Sequence, residues 1–434
     1  MAWSIVYADP VVVVVDPEAT TNQYYVRDGG SPTGSGSDWT NARDDLPATL
    51  VRGTTYWMAG GSYASRTFNT TAGGAGNDAY IRIKKATIAL HGTSTGWLDS
   101  YATAQAVFGQ ITVSTSHHIF DGSYRDESSL SAWFTNSSYG IRINHANGGC
   151  VILSDTPYTN LTFRYLFMPS MTETLTGGFR PYNVDAGESN SNGQRTGLLF
   201  QRCLTTGGSN HYFIRSSTGS VIEYCALADA FSNATYHGEM FNIYFSVFDP
   251  VIRFNFLKNH NAPTAGIAIA SWRSSPNAPS GEIYGNVFWN VYGTEELIGY
   301  GNGGVDSTSD GDNWKIYNNT IVDCGLYTGS DGVALGEGAG GNDVRNNLWL
   351  KASSDPSIDL GGGSNTLAYN AFYGAGSGTN IQSGIRSTIF MNYATGDFRL
   401  ATDTTAGATL ASPYDVDMLG NTRTTWSRGA LQKV

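Results

Sequence analysis

The residues best equipped for chemistry cluster in one part of the chain. His237-Gly238-Glu239 is followed shortly by Tyr244, and Arg273 lies further along. An imidazole, a carboxylate, a phenol and a guanidinium are the parts of a proton-transfer site. His237 or Tyr244 can take a proton, Arg273 can neutralise a substrate carboxylate, and Glu239 can hold a cation or act as acid or base. Glu295, Glu296 and Glu337 supply further carboxylates that would pair with Glu239 for hydrolysis, which needs two carboxyl groups roughly 5–9.5 Å apart. Trp272 and Tyr300 offer aromatic faces to sugar rings, and Asn242 an amide that reads hydroxyls. Asp306, Asp310 and Asp312 in DSTSDGD, together with Glu239, are the candidate metal ligands, and Ca²⁺ is the cofactor that oxygen ligands would take. The aspartate spacing is not that of an EF-hand, and a solvated loop is the favoured reading of it. Asp185 and Glu188 fall in VDAGESNSNGQR, which reads as a loop able to overhang a groove, and His117-His118 reads as a turn feature before a strand.

Strands must position these residues. Gly is 53 of the 434 residues, charged residues are 14%, and Tyr, Thr, Ser and Asn are abundant, a composition that favours strands and turns over long helices. Residues 1–20, with an apolar run at Val11–Val15 between Pro10 and Pro17, read as a leading strand and linker. The run has no basic flank and fits neither a signal peptide nor a membrane span. Residues 21–434 read as one domain with a closing segment at its C-terminal end. Strands are expected at Tyr24–Arg27, Thr55–Met58, Tyr80–Lys84 and Val107–Val113, and a short helix around Thr40–Leu46 with Asp38 as its cap. Cys150, Cys203, Cys225 and Cys324 show no metal-binding spacing and read as small core residues.

An internal repeat carries the fold. Aligning VIEYCAL (221–227), VIRFNFL (251–257), EIYGNVF (282–288), KIYNNTI (315–321), DVRNNLW (343–349) and TLAYNAF (366–372) puts Cys225, Asn255, Asn286, Asn319, Asn347 and Asn370 in one slot. LFQRCLT (199–205) adds Cys203. A second apolar run accompanies most copies: YFIRS, MFNIYF, GIAIAS, ELIGY, GVALG and SIDLG. Two or three short strands per repeat, without helical periodicity between them, predict an all-β, single-stranded right-handed parallel β-helix whose coils stack at about 4.8 Å. An inward Asn at a bend would then form a ladder that satisfies turn backbone groups. A β-propeller is the structural rival, but no blade repeat of ~40–45 residues exists.

The Asn-bearing coils, the opening YYVRDGGSPTGSGSDWTNA and the closing GDFRLATDTT and DVDMLGNTRTTWSRGAL resemble the right-handed parallel β-helix (pectate-lyase-like) superfamily across roughly residues 22–430. That resemblance implies a fold more than a function, because the group spans lyases, hydrolases, epimerases and phage tailspikes. The His237–Glu239 region also resembles polysaccharide lyase family six and tailspike depolymerases. The family-six pattern implies Glu239 as calcium ligand and Arg273 as acid, but its lysine base falls on Tyr244.

On a β-helix an outward face becomes a long groove. With Phe241, Ile243 and Phe245 inward, Asn242, Tyr244 and Ser246 point outward, as do Ala268, Ala270 and Trp272. Glu239 shares the parity of Phe241, so an unbroken strand would turn it inward. The expected activity is cleavage of a uronic-acid-containing polysaccharide by β-elimination in this groove. The alternatives are a glycoside hydrolase with paired carboxylates and a non-catalytic carbohydrate-binding or virion-attachment protein. The expected partner is a polysaccharide. The formal charge of −11 and the lack of a Lys/Arg-rich run argue against nucleic acid, and no membrane partner is expected. The expected location is extracellular or virion-associated, with a homotrimer in the virion case.

Overall fold

In the computed structural model, the described residues are 22–69, 71–72, 78–144, 149–154, 157–170, 182–186, 195–231, 238–244, 247–261, 269–272, 280–293, 297–300, 312–326, 331–335, 340–351 and 357–433. Three parallel sheets of 13, 12 and 10 strands run the length of the molecule, and successive strands of the chain pass from the first to the second to the third. One coil is Val221–Glu223 in the first sheet, Ala226–Ala228 in the second and Glu239–Tyr244 in the third. The next is Val251–Arg253, Phe256–Asn261 and Ile269–Trp272. The architecture is a right-handed parallel β-helix, as the repeat predicts. Among the described residues no helix is long and apolar enough to cross a membrane.

The aligned repeats are the first two strands of each coil and the bend between them. The residue before the Asn or Cys slot adopts a left-handed conformation: Tyr224 (φ 53°) before Cys225, and Phe254 (56°), Asn318 (54°), Asn346 (58°) and Tyr369 (57°) before asparagines, with Gly285 (65°) the one glycine of these six. The Asn then turns inward and builds the ladder. The Asn286 backbone N–H donates to Asn319 Oδ1 (3.0 Å), that of Asn319 to Asn347 Oδ1 (2.9 Å) and that of Asn347 to Asn370 Oδ1 (2.9 Å). Each Nδ2 donates to a carbonyl of a first-sheet strand, such as Asn255 to Ile222 (2.9 Å). At the far end thiols take the slot, and Cys225 Sγ accepts the Cys203 N–H at 3.4 Å. Cys150, Cys203 and Cys225 are buried, and all four cysteines are free.

Alternation along each strand divides the apolar residues between two cores. Leu257, Phe288 and Ile321 face the interior of the helix. Their neighbours Phe256, Val287 and Val322 face outward into a second cluster. Two segments cover that outer face of the second sheet. Phe134 meets Phe256 edge-on (5.1 Å), and Phe398, on the C-terminal strand Asp397–Leu400, meets Phe256 (6.1 Å) and Trp289 (5.4 Å). The closing segment is held by Arg423, whose guanidinium donates to the carbonyls of Val416, Ser427, Gly429 and Ala430. Asp417, in the DVDMLGN stretch, accepts the N–H groups of Leu419 (2.9 Å) and Asn421 (2.8 Å).

Three expectations for the N-terminal half change. Residues 40–46 form turns, not a helix, because Asp38 Oδ1 accepts the Asn41 N–H (2.8 Å) and side-chain Nδ2 (3.0 Å), closing a local turn that competes with helix. The one α-helix among the described residues is Ser100–Thr103, whose Tyr101 carbonyl accepts from the buried Lys85 ammonium (3.1 Å). Val107–Val113 is two strands, Ala106–Phe108 and Ile111–Val113, separated by a corner between the second and third sheets. His118 is fully buried and opens the strand His118–Asp121.

Candidate functional site

The third sheet carries the candidate site on its outer face. In Asn210–Arg215, Tyr212 and Ile214 belong to the inner core, whereas Phe213 and Arg215 do not. The Arg215 guanidinium lies 4.0 Å from the centre of the Phe213 ring, and Phe213 packs against Tyr182 in a tilted pair (4.7 Å). Cation and ring on one face attract each other through the ring quadrupole, which fixes the plane of the guanidinium. The neighbouring strand, Glu239–Tyr244, pairs with this one in the register Phe213↔Asn242 and Arg215↔Tyr244. Asn242 Nδ2 donates to Glu239 Oε2 at 3.4 Å, so the carboxylate shares the outer face with Asn242.

The parity argument about Glu239 is resolved at the start of its strand. Met240 and Phe241 both enter the inner core, so strict alternation does not reach back to Glu239. His260 fixes that start. Its ring is fully buried, Nδ1 lies 2.9 Å from the Tyr292 carbonyl, and Nε2 sits against the Gly238 carbonyl. Burial outweighs these two carbonyls and pushes the imidazole down to about 4. Beside it, His211 Nδ1 bonds Thr205 Oγ1 (2.8 Å), and burial pushes this ring down to about 3.

On the other side of Arg215, the strand Tyr182–Asp185 pairs in the register Tyr182↔Asn210 and Asp185↔Phe213. Asp185 is therefore a strand residue, not part of a loop, and its core neighbour Val184 puts it on the outer face. Beyond Asn242 the same column continues through Ala270, Gly299, Ala334 and Asp359, three positions with a methyl group or no side chain before an aspartate. The face is covered where the polar groups gather: Glu239 is 1% exposed, Arg215 6% and Asn242 8%.

Of the residues singled out in the sequence, Glu239 and Asn242 are brought together. Tyr244 is in register with both Arg215 and Trp272. Tyr300 is in register with Ser271, and through it with the core residue Ile243, not with Asn242. His237, Arg273, Glu295, Glu296, Glu337, Asp306 and Asp310 lie outside the described residues. Asp312 Oδ1 accepts the Gly340 N–H (2.7 Å), a turn contact. Among the described residues no three His, Cys, Asp or Glu side chains are grouped to hold a metal. Arg215, Phe213 and Asp185 were not anticipated as a group. YFIRS reads as an apolar run, and its arginine at the outward parity was the available signal.

No family model matches the chain, and no curated protein matches it. Among solved structures it is similar to the crystal structure of pectate lyase Pel9A, with a TM-score of 0.50 and 15% identity over 96% of this chain and 97% of that one. At that identity the likeness is one of fold, and it agrees with the parallel coils described above: the fold is a right-handed parallel β-helix.

Proposed function

We propose that the protein cleaves a uronic-acid-containing polysaccharide by β-elimination on the outer face of the third sheet. The observation that carries this reading is that Arg215, held over Phe213, and the Glu239–Asn242 pair lie on adjacent strands of that face, with Phe213 in register with Asn242. Arg215 neutralises the uronate carboxylate, which acidifies the neighbouring C–H, and low exposure strengthens that electrostatic effect. Tyr244, the register neighbour of Arg215, acts as the phenolate: it takes the proton from the carbon beside the carboxylate, that electron pair forms the carbon–carbon double bond as the bond to the glycosidic oxygen breaks, and the phenol returns the proton to the leaving oxygen. Phe213 and Tyr182 supply ring faces, and the column of small residues beyond Asn242 accommodates the rest of the polymer. His237 and Arg273 remain candidates for base and second cation. Glu239, with Asp306, Asp310 and Asp312, remains a candidate for Ca²⁺. The neighbour's title names a pectate lyase, which is consistent with this substrate class.

A second reading has its own support. Asp185 and Asn242 are two strand spacings apart in one register, roughly 9–10 Å. Glu239 reaches Asn242, so Glu239 and Asp185 are the carboxylates of this face that a glycoside hydrolase would use as acid and base.

Incubation with uronic-acid and neutral polysaccharides separates the readings. Elimination gives new ultraviolet absorbance from an unsaturated uronate together with reducing ends. Hydrolysis gives reducing ends alone. Binding without either product would mark an attachment or binding protein and overturn both enzymatic readings.

A further inference from the structure

The two segments that cover the outer face of the second sheet do not meet completely. Between them lies a cleft of about 220 Å³ whose walls include Ser129, Leu130 and Ser131 on one side and Asp397, Arg399 and Leu419 on the other. Both walls are anchored on the same aromatic surface, one through Phe134 on Phe256 and the other through Phe398 on Phe256 and Trp289. The cleft is thus pre-formed, which lowers the ordering cost of binding. It belongs to the second sheet's covering, whereas the candidate catalytic face is that of the third sheet.

Its chemistry is that of paired, charge-neutral hydrogen bonding. Arg399 Nε donates to Asp397 Oδ1 (2.8 Å) and Arg399 Nη2 to Asp397 Oδ2 (2.6 Å), a bidentate fork. Arg399 hydrogen bonding holds the Asp397 carboxyl below the usual range, so it stays an acceptor; Oδ1 also takes the Arg399 backbone N–H (3.3 Å), which leaves Oδ2 as the oxygen with a lone pair to spare. Opposite them, the Ser129 and Ser131 hydroxyls lie 2.9 Å apart and bond each other. Leu130 and Leu419 add an apolar patch. The volume falls below the ~300 Å³ at which pockets begin to take drug-sized ligands, so a single ring fits.

We propose that this cleft is a second carbohydrate site, which takes one ring of a neutral sugar by its adjacent hydroxyls. One of two vicinal hydroxyls donates to Asp397 Oδ2 and the other exchanges hydrogen bonds with Ser129 and Ser131. The guanidinium charge of Arg399 is already matched by Asp397, so a carboxylated sugar gains nothing there and meets Asp397 as a like charge. This preference is opposite to that of the uronate-binding face, and the site does not depend on that reading.

The test is titration of the full chain with lactose, maltose, cellobiose and digalacturonate, followed by calorimetry and ligand-observed NMR. At least one neutral disaccharide is expected to bind, with Kd on the order of 1 mM. Ser129→Trp, which fills the cleft, and Asp397→Asn, which removes an acceptor, are each expected to weaken it about tenfold or more, with Ser129→Trp keeping the parent melting temperature. Arg215→Ala is expected to leave this binding unchanged. The proposal is overturned if no neutral disaccharide binds, if binding survives Ser129→Trp, or if Arg215→Ala abolishes it.

Discussion

At Asn286 one carboxamide serves five groups, the Tyr284 carbonyl (3.2 Å from Nδ2) and four more. Its Oδ1 accepts the Asn255 N–H (2.9 Å) and Nδ2 (3.0 Å), and its own Nδ2 donates to the Ile252 carbonyl (2.9 Å) and to Asn319 Oδ1 (3.0 Å). All of these groups are buried, so Asn286→Ala strands them at about 1–3 kcal/mol each. A loss of about 3–5 kcal/mol is expected in urea unfolding. Asn286→Asp should cost at least as much, because a carboxylate keeps the acceptor but sets an oxygen against the Ile252 carbonyl. A loss under about 1 kcal/mol for both would mean the ladder is decorative. The ladder was legible in the sequence because a polar residue recurs at an otherwise apolar slot. Arg215 was not, because one arginine at the end of YFIRS carries no period, and only the pairing of three strands puts it on one face with Asn242 and Asp185. Within the proposed reaction, Tyr244→Phe removes the base and should lower kcat at least 100-fold with little change in KM, as about 10²–10⁴ is the usual worth of a positioned general base. An unchanged kcat would remove Tyr244 from the chemistry.

The second sheet is buried on both sides, and the strand Asp397–Leu400 is what closes its outer face at the C-terminal coils. Phe398 is fully buried and packs against Phe256, Trp289 and Phe390. Phe398→Ala should therefore cost about 3–5 kcal/mol, as for other buried aromatic truncations. Because the third sheet is built from other strands, product formation per folded molecule should stay near the parent value. Loss of specific activity in parallel with stability would instead tie the closing segment to the site. Gly396 (φ 76°) precedes this strand, and an added Cβ would come within 2.7 Å of the Trp289 ring, so Gly396 admits no larger residue without displacing the indole. Strand positions in the Asn-bearing coils were readable from their apolar runs. Element boundaries failed where local side-chain bonding decided, as at Asp38, and where a corner hid inside an apolar stretch, as in Val107–Val113.

Across the whole molecule, acid sensitivity follows from buried histidines. His118 donates from Nδ1 to the carbonyls of Thr115 (3.1 Å) and Ser116 (3.0 Å), and His211 bonds Thr205, while Nε2 of each ring has no hydrogen-bond partner among the described residues. Burial pushes them down to about 4 and about 3. The unfolded chain binds their protons near pH 6.5, earlier than the folded one, so their contribution to stability is present above pH 6.5 and is lost as pH falls from there toward 4. Each ring accounts for about 1.4 kcal/mol per pH unit in that window. Urea midpoints measured from pH 7 to 4.5 should fall, and His118→Asn should flatten the slope; a slope unchanged by this substitution would contradict the assignment. At this scale the sequence reading succeeded, since glycine-rich turns, scarce charge and the recurrent Asn are properties of the whole chain. It could not foresee which side of the β-helix is covered, because that depends on segments far apart in sequence meeting over one sheet. The central functional claim concerns the outer face of the third sheet, and the initial rate of unsaturated-uronate formation from polygalacturonate and alginate, for the parent protein and Arg215→Ala, tests it most directly. The parent should produce ultraviolet-absorbing ends from at least one polymer, and Arg215→Ala should slow this about 100-fold or more. Reducing ends without that absorbance, or a rate that survives Arg215→Ala, would contradict elimination at this site.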